Sequence, residues 1–342
     1  MNRRDIGTDD PRVHVRPGRG SRARTKVRPD YSALPIGTVT ALDRGRYRVT
    51  LATETSEKTV LNCVKAKELP HRSVVIGDRV RVSGDISGRE GTLARIVQIQ
   101  QRISELRRSR DDSEGGAVER VMVANVTQMA IITALADPEP RPRMIDRCLV
   151  AAYSEGIQPL LVLTKSDLAD ATELMEAYEP LGVQALVVSV SDQTSIDRLR
   201  TRLAGEVTVM VGHSGVGKST LVNLLVPDAR RETGEVNSVT GRGRHTSTNA
   251  RMFTLPGSKR ANTGAIIDTP GVRSFGLSHV NTADILAGFP DLQKAALECP
   301  KLCDHLSIGC ALDTWAEDAQ NSEPHARERL DSFRRLLRSR QG

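Results

Sequence analysis

The sequence predicts a multidomain chain: an N-terminal all-β barrel, a central α/β domain and a helix-rich C-terminal segment built round a cysteine–histidine knot. Three observations carry the prediction. Residues 36–100 alternate apolar and polar in short runs, residues 119–277 interleave continuous apolar runs with helical stretches, and residues 299–310 hold three Cys and one His. The 342 residues are enough for two or three domains, each with its own core. Charged residues at 27% and hydrophobic residues at 38% fit a soluble globular protein, and with aromatics at only 3% the cores must be built from Val, Leu, Ile and Ala.

Residues 1–34 are rich in Arg, Gly and Pro without hydrophobic periodicity, which predicts a disordered basic arm. The arm has no apolar core of the secretory type, and no stretch approaches 18 apolar residues, so neither a signal peptide nor a membrane span is expected and the chain reads as cytoplasmic. A net charge of +7 favours polyanionic partners. Within 35–101 the runs GTVTAL, RYRVTLA, KTVLNCV, DRVRVSG and GTLARIVQI are separated by Gly- and Asp-rich turns. Five short strands in such a span predict a small barrel, with the OB-fold leading and an unliganded β-barrel as the alternative. Arg44, Arg46, Arg48, Arg79, Arg81 and Arg95 interleave with the strands and suit a nucleic-acid face. Aromatic platforms are missing, so backbone and shape recognition are expected there rather than stacking. RISELRRSRD (102–111) reads as a charged linker.

From 119 to 277 the runs QMAIITAL, QPLLVLT, QALVVSV, EVTVMVG and GAIIDT read as buried parallel strands. PRMIDRCLVAAYSEG and DATELMEAYEPLG between them read as helices, the second closed by Gly182. Such alternation predicts a doubly wound α/β domain. Residues 278–342 are helix-rich, and the tail HARERLDSFRRLLRSRQG predicts an amphipathic helix with Leu330, Phe333, Leu336 and Leu337 on one stripe.

GHSGVGKS (212–219) follows the strand VTVMV and opens the helix STLVNLL, the setting a phosphate-binding loop requires. Gly212, His213, Ser214, Gly215, Val216 and Gly217 would turn backbone N–H groups onto the phosphates, and Thr220 follows in the first helical turn. Lys218 would reach the β and γ oxygens, and the Ser219 hydroxyl would ligate Mg²⁺. DTPG (268–271) ends the strand GAIID. Asp268 would hold Mg²⁺ through water, and the Gly271 N–H would sense the γ-phosphate.

TKSD (164–167) ends the strand LLVLT. A carboxylate there accepts two hydrogen bonds from guanine, and adenine presents the opposite pattern. Asp167 is therefore predicted to select GTP over ATP, with the Lys165 stem on the base and Thr164 and Ser166 in the same loop. A plain loop at a strand end is the alternative. A residue near Ser189, at the end of VVSVS, would offer a backbone N–H to the base. GRGRHTST (241–248) lies where the first switch loop belongs, and Thr246, with Thr248 close behind, is the expected ligand for Mg²⁺ and γ-phosphate. Val272 stands where Ras-like enzymes place a water-orienting Gln, so slow intrinsic turnover, raised by a partner, is expected. His245 is the candidate for positioning the water, beside the alternative that it contacts only a partner or the switch backbone.

Cys299, Cys303, His305 and Cys310 supply a complete tetrahedral set, which points to a structural zinc site; reduced, unmetallated thiols are the alternative. Cys63 and Cys148 read as core residues.

The nucleotide motifs resemble those of the translation-factor-like GTPases, with Thr164 in place of their usual Asn. Thr is shorter and predicts one tethering bond fewer. Their order is permuted: TKSD comes first, then the phosphate loop, then DTPG, an arrangement a doubly wound sheet accepts because strand ends build the site. Barrel, permuted motifs and Cys3His knot together resemble the RsgA (YjeQ) family of small-ribosomal-subunit-dependent GTPases over about residues 35–315. The carriers are GTV with IGDRV (76–80), TKSD, GHSGVGKST, GRGRHTST, DTPGVRSFG and CPKLCDHLSIGC. Both outer gaps of the Cys/His pattern are one residue shorter than the family's C-x4-C-x-H-x5-C. The resemblance implies a late assembly factor that binds the immature small subunit and its ribosomal RNA in the GTP form and is released on hydrolysis, with Mg²⁺ at the nucleotide and Zn²⁺ near the C-terminus; with the ribosome as partner, a monomer is expected. The arm 1–34 and the tail 325–342 are expected RNA contacts. A guanine-nucleotide-sensing, RNA-binding regulator with incidental turnover is the competing reading; an RNA-dependent ATPase is opposed by Asp167, and membrane association by the absence of a lipid-anchor motif.

Overall fold

The computed structural model describes residues 30–43, 45–51, 59–70, 73–108, 119–227, 229, 250–256, 264–269, 275, 277, 279–319 and 326–339. Nearly all of the expected basic arm lies outside them.

Strands β1 (Ile36–Asp43), β2 (Arg46–Leu51), β3 (Thr59–Lys65), β4 (Arg79–Gly84) and β5 (Ala94–Ile99) follow the predicted runs. β1 pairs with β2 and β2 with β3, antiparallel; β3 runs parallel to β5; β5 pairs with β4, and β4 returns to β1, so the barrel closes. Alternation sorts the side chains. Tyr47, Val49 and Leu51 point inward with Val39, Leu61, Cys63, Val80, Val82 and Ile96, while Arg46 and Arg48 face solvent. Gly37 stands where β1 is bonded on both sides: a Cβ there would lie 2.5 Å from Val49 Cγ1 and 2.9 Å from the Thr50 carbonyl oxygen. Cys63 is fully buried, which pushes its thiol up to about 11.

Residues 102–108 of the segment read as a charged linker are structured. β6 (Glu105–Arg108) and β7 (Arg120–Ala124) form an antiparallel hairpin with Leu106 and Val123 buried. Four residues with a single apolar position give no period to read, and pairing with a distant strand decided the outcome. The hairpin locks to the barrel. Arg102 clasps the buried Asp78 through Nε (2.7 Å) and Nη2 (2.9 Å) and also bonds the Ser73 carbonyl. Asn125 donates to the Gly77 carbonyl at 2.8 Å and accepts from the Ile103 N–H at 3.0 Å. Removing Arg102 would strand a buried carboxylate, a loss of about 3–5 kcal/mol.

The α/β domain runs β8 (Gln128–Ala134), α1 (Pro142–Ser154), β9 (Gln158–Thr164), α2 (Thr172–Tyr178), β10 (Gln184–Val188), α3 (Gln193–Leu203), β11 (Val207–Gly212), α4 (Lys218–Leu225), β12 (Arg251–Thr254) and β13 (Ala265–Asp268). The strand order is β10-β9-β8-β11-β13-β12, parallel except for β12, whose Arg251 pairs with Ala41 of β1 and so joins barrel to sheet. β8 is buried along its whole length, as a run without alternation requires. Pro142 opens α1, the Asp192 side chain caps α3, and Gly182 at φ 69° ends the 3₁₀ turn Glu179–Leu181 that extends α2. One face of the sheet is covered by α3 and α4 through Ile196, Leu199, Leu203, Leu221 and Leu225.

The other face is covered by α1 and by the C-terminal helices α5 (Thr282–Leu286), α6 (Pro290–Ala295), α7 (Ala311–Ala319) and α8 (Ala326–Ser339). One continuous core crosses the expected domain boundary at 277/278, with Ile145 and Leu149 of α1 packing in the same cluster as Phe289 and Phe333. In α8 the predicted stripe Leu330, Phe333, Leu336 and Leu337 is buried. Three of its five arginines bond this chain's own carboxylates within 3.3 Å: Arg329 to Asp291, Arg334 to Asp313 at 2.7 Å and Arg335 to Asp146 at 3.3 Å. These cations border the apolar stripe and therefore meet the neighbouring helices. No described helix is long and apolar enough to cross a membrane.

Candidate nucleotide site and metal cluster

β9, β11 and β13 run parallel in one sheet, with β8 between β9 and β11, so the chain leaves all three at the same, C-terminal end, where doubly wound sheets bind ligands. The permuted motifs thus meet in space. β11 hands directly to α4 through the phosphate loop. Gly215 (φ 85°) and Gly217 (φ 90°) adopt left-handed backbone, and a Cβ on Gly212 would lie 2.6 Å from the Ile132 carbonyl oxygen. Ser214, Ser219 and Thr220 are exposed at the loop and the first turn of α4, and the His213 ring Nδ1 lies 3.0 Å from the Ser214 carbonyl oxygen.

Thr164 is 3% exposed, and its hydroxyl donates to the Val216 carbonyl at 2.7 Å. The Thr164 hydroxyl therefore tethers the base-reading loop to the phosphate loop, because β9 lies close enough for a three-atom side chain to reach. Lys218 Nζ donates to the Thr269 carbonyl at 2.8 Å and lies 3.2 Å from Asp268 Oδ1. The Thr269 hydroxyl, buried, donates to the Met210 carbonyl at 2.9 Å and pins β13 to β11. Thr269 was missed because a Thr inside DTPG carries no distinguishing signal of its own.

Asp167 is exposed at the loop tip, and its carboxylate accepts from Ser189 Oγ at 2.7 Å. That bond, first among several, holds the Asp167 carboxyl below the usual carboxylate range. Ser166 is half-buried beside it. Lys165 adopts φ 59° and its amine bonds the Asp137 carbonyl, laying the stem along the loop. The Ser189 N–H donates to Ser195 Oγ at 3.2 Å, so Ser189 serves Asp167 through its hydroxyl and its own N–H is already engaged. His245, Thr246, Thr248 and Gly271 lie outside the described residues.

Cys299, Cys303, His305 and Cys310 have their ligand atoms all within 4.8 Å of one another. Cys299 Sγ lies 3.7 Å from Cys310 Sγ and 3.5 Å from His305 Nδ1, and Cys310 Sγ lies 3.6 Å from the same nitrogen. Tetrahedral zinc, with bonds of about 2.3 Å to sulfur and about 2.0–2.1 Å to nitrogen, sets S···S near ~3.8 Å and S···N near ~3.5 Å. The spacings of Cys299, His305 and Cys310 match that ion, and Cys303 completes a compatible four-ligand set within 4.8 Å despite the shortened outer gaps. Left-handed backbone at Leu302 (φ 65°), His305 (φ 60°) and Gly309 (φ 89°) makes the tight turns that close it. Asp304 bonds the Leu306 and Ser307 N–H groups, each at 2.9 Å, and Arg334 donates to the His305 carbonyl at 2.9 Å, tying the knot to α8.

The family model described as RsgA GTPase matches residues 99–278. The "Small ribosomal subunit biogenesis GTPase RsgA" of Pseudomonas aeruginosa (strain LESB58) is 38% identical over 301 residues, covering 86% of this chain and 83% of that protein. The protein of the same name from Ectopseudomonas mendocina (strain ymp) is 38% identical over 288 residues, covering 82% and 78%. Among solved structures, YjeQ from Thermotoga maritima superposes with a TM-score of 0.61 at 23% identity, covering 89% of this chain and 98% of that one. YloQ, described as a circularly permuted GTPase, superposes with a TM-score of 0.62 at 21% identity, covering 91% and 96%. At those identities the two structures show the fold.

Proposed function

Because this chain belongs to the RsgA GTPase family and is a GTP-hydrolysing enzyme, we propose that it binds the small ribosomal subunit in its GTP form, assists late maturation and is released by hydrolysis. The observation that carries the proposal is that TKSD, the phosphate loop and Asp268–Thr269 lie at the C-terminal ends of parallel strands of one sheet, in a chain whose 38%-identical relatives are called small ribosomal subunit biogenesis GTPases. The backbone of residues 212–217 cradles the phosphates, Lys218 leaves Asp268 and Thr269 to meet the β and γ oxygens, and Asp167 takes the guanine edge with Lys165 along its face. Ser219 and Thr246 would hold Mg²⁺, with Asp268 in support, and the ion would neutralise charge on the phosphates. Gly271 reads the γ-phosphate and His245 orients the water, beside the alternative that a ribosomal group does so. Cys299, Cys303, His305 and Cys310 hold one structural Zn²⁺.

The exposed arginines of the barrel, Arg46, Arg48, Arg79 and Arg95, supply the face for ribosomal RNA. The protein acts as a cytoplasmic monomer without a membrane partner. Co-sedimentation with small subunits tests the binding cycle. Retention with a non-hydrolysable GTP analogue and release with GDP is the expected outcome; equal retention with both nucleotides would remove the proposed release step.

A further inference from the structure

We propose that His279 is a positioning residue that ties the outgoing end of the γ-phosphate loop to the β6–β7 hairpin, and through it to the barrel. The inference rests on the reading of residues 268–271 as that loop. Its incoming end is held by Lys218 on Asp268 and Thr269. Beyond it, Phe275, Leu277 and Val280 are buried in the core, and Arg147 donates to the Phe275 carbonyl at 3.2 Å. His279 sits on the outer side of this segment between two carboxylates. Its Nδ1 lies 2.6 Å from Glu119, directly before β7, and its Nε2 lies 3.5 Å from Glu155 at the end of α1.

Those carboxylates lead onward. The second oxygen of Glu155 accepts the Glu105 N–H of β6 at 2.9 Å. The Glu105 carboxylate meets Arg102 at 3.1 Å, Arg102 clasps Asp78, and the Asp78 carbonyl accepts the Val39 N–H of β1 at 2.9 Å. A chain of polar contacts therefore runs from His279 through Glu155, Glu105, Arg102 and Asp78 to the first barrel strand. When nucleotide phosphates draw Lys218 away from Asp268 and Thr269, the incoming end loses its cation, and the change reaches the hairpin through the outgoing end. Spatial continuity alone does not establish coupling; a nucleotide-dependent difference carried across His279 does.

The test is amide hydrogen exchange on the full zinc-loaded chain, in GDP and in a non-hydrolysable GTP analogue, for wild type and His279→Ala. The side chain is one-third exposed and its partner Glu119 8% exposed, so the variant's thermal midpoint and zinc content serve as checks. The expected result is that wild type shows a nucleotide-dependent difference both in 264–280 and in the hairpin amides of Glu105 and Ala124. His279→Ala keeps the first and loses the second, with GTP affinity unchanged. A hairpin difference that survives in the variant, or is missing from wild type while 264–280 responds, overturns the inference and leaves the loop reading intact. No difference in 264–280 overturns the loop reading and takes the inference with it.

Discussion

Replacing Thr164 by Val removes one hydroxyl and keeps the shape. That hydroxyl is 2.7 Å from the Val216 carbonyl and 3.4 Å from the Thr133 carbonyl, so the bond to the phosphate loop is the strong one. The site is buried, and Val leaves the Val216 carbonyl without its donor. The loss is about 1–3 kcal/mol. If the loop must regain its turned conformation to hold phosphates, that loss appears in binding, where 1.4 kcal/mol is about tenfold, giving roughly 5- to 150-fold weaker affinity. The tether acts on the loop common to both nucleotides, so GTP and GDP should weaken equally. The preference for guanine over adenine should stay, because Asp167 is tied separately to Ser189. Equilibrium titration with fluorescent guanine nucleotides reads the effect, beside thermal unfolding of the same samples. Thr164→Asn, with a longer donor, should bind at least as tightly as wild type. Wild-type affinity in Thr164→Val would refute the reasoning, as would a loss confined to GTP.

Ser189→Ala should leave GDP affinity near wild type at neutral pH but make it fade earlier on acidification. The serine lowers the Asp167 carboxyl, so the wild-type carboxylate persists to lower pH, whereas the variant reverts toward the ordinary value of about 3.9; a variant-to-wild-type affinity ratio flat between pH ~6 and ~4 would sink this idea. Phe333→Ala should destabilise the shared core by about 3–5 kcal/mol, since the ring is fully buried and lies edge-on to Phe289 at 5.4 Å; chemical denaturation measures it, and a loss under ~1 kcal/mol would contradict the packing described. One zinc per chain should be found by metal analysis, and Cys303→Ser or a strong chelator should lower both the zinc content and the thermal midpoint, with unchanged unfolding of the stripped protein counting against a structural ion.

The elements visible in the sequence are those whose signal is local. The five barrel runs alternate, the parallel strands are unbroken apolar blocks, and Gly212, Gly215 and Gly217 sit at fixed offsets from Lys218, so spacing alone located them. The tail stripe was legible for the same reason, since Leu330, Phe333, Leu336 and Leu337 recur at helical period. What escaped depends on distant partners. Glu105–Arg108 becomes a strand only because Arg120–Ala124 lies beside it, and the pairing of Arg329, Arg334 and Arg335 depends on Asp291, Asp313 and Asp146 coming into place. The reach of Thr164 to Val216 and the engagement of the Ser189 N–H by Ser195 are matters of ångströms that residue type does not encode.

The central claim is a guanine-specific hydrolase whose turnover answers to the small ribosomal subunit. Its most direct test is the rate of GTP hydrolysis by the purified protein, alone and with small subunits, with ATP and free RNA as controls. The account predicts slow turnover alone, a rise of orders of magnitude with subunits, and no response to ATP or to free RNA. Turnover indifferent to subunits would contradict the assembly role and leave a nucleotide-binding regulator.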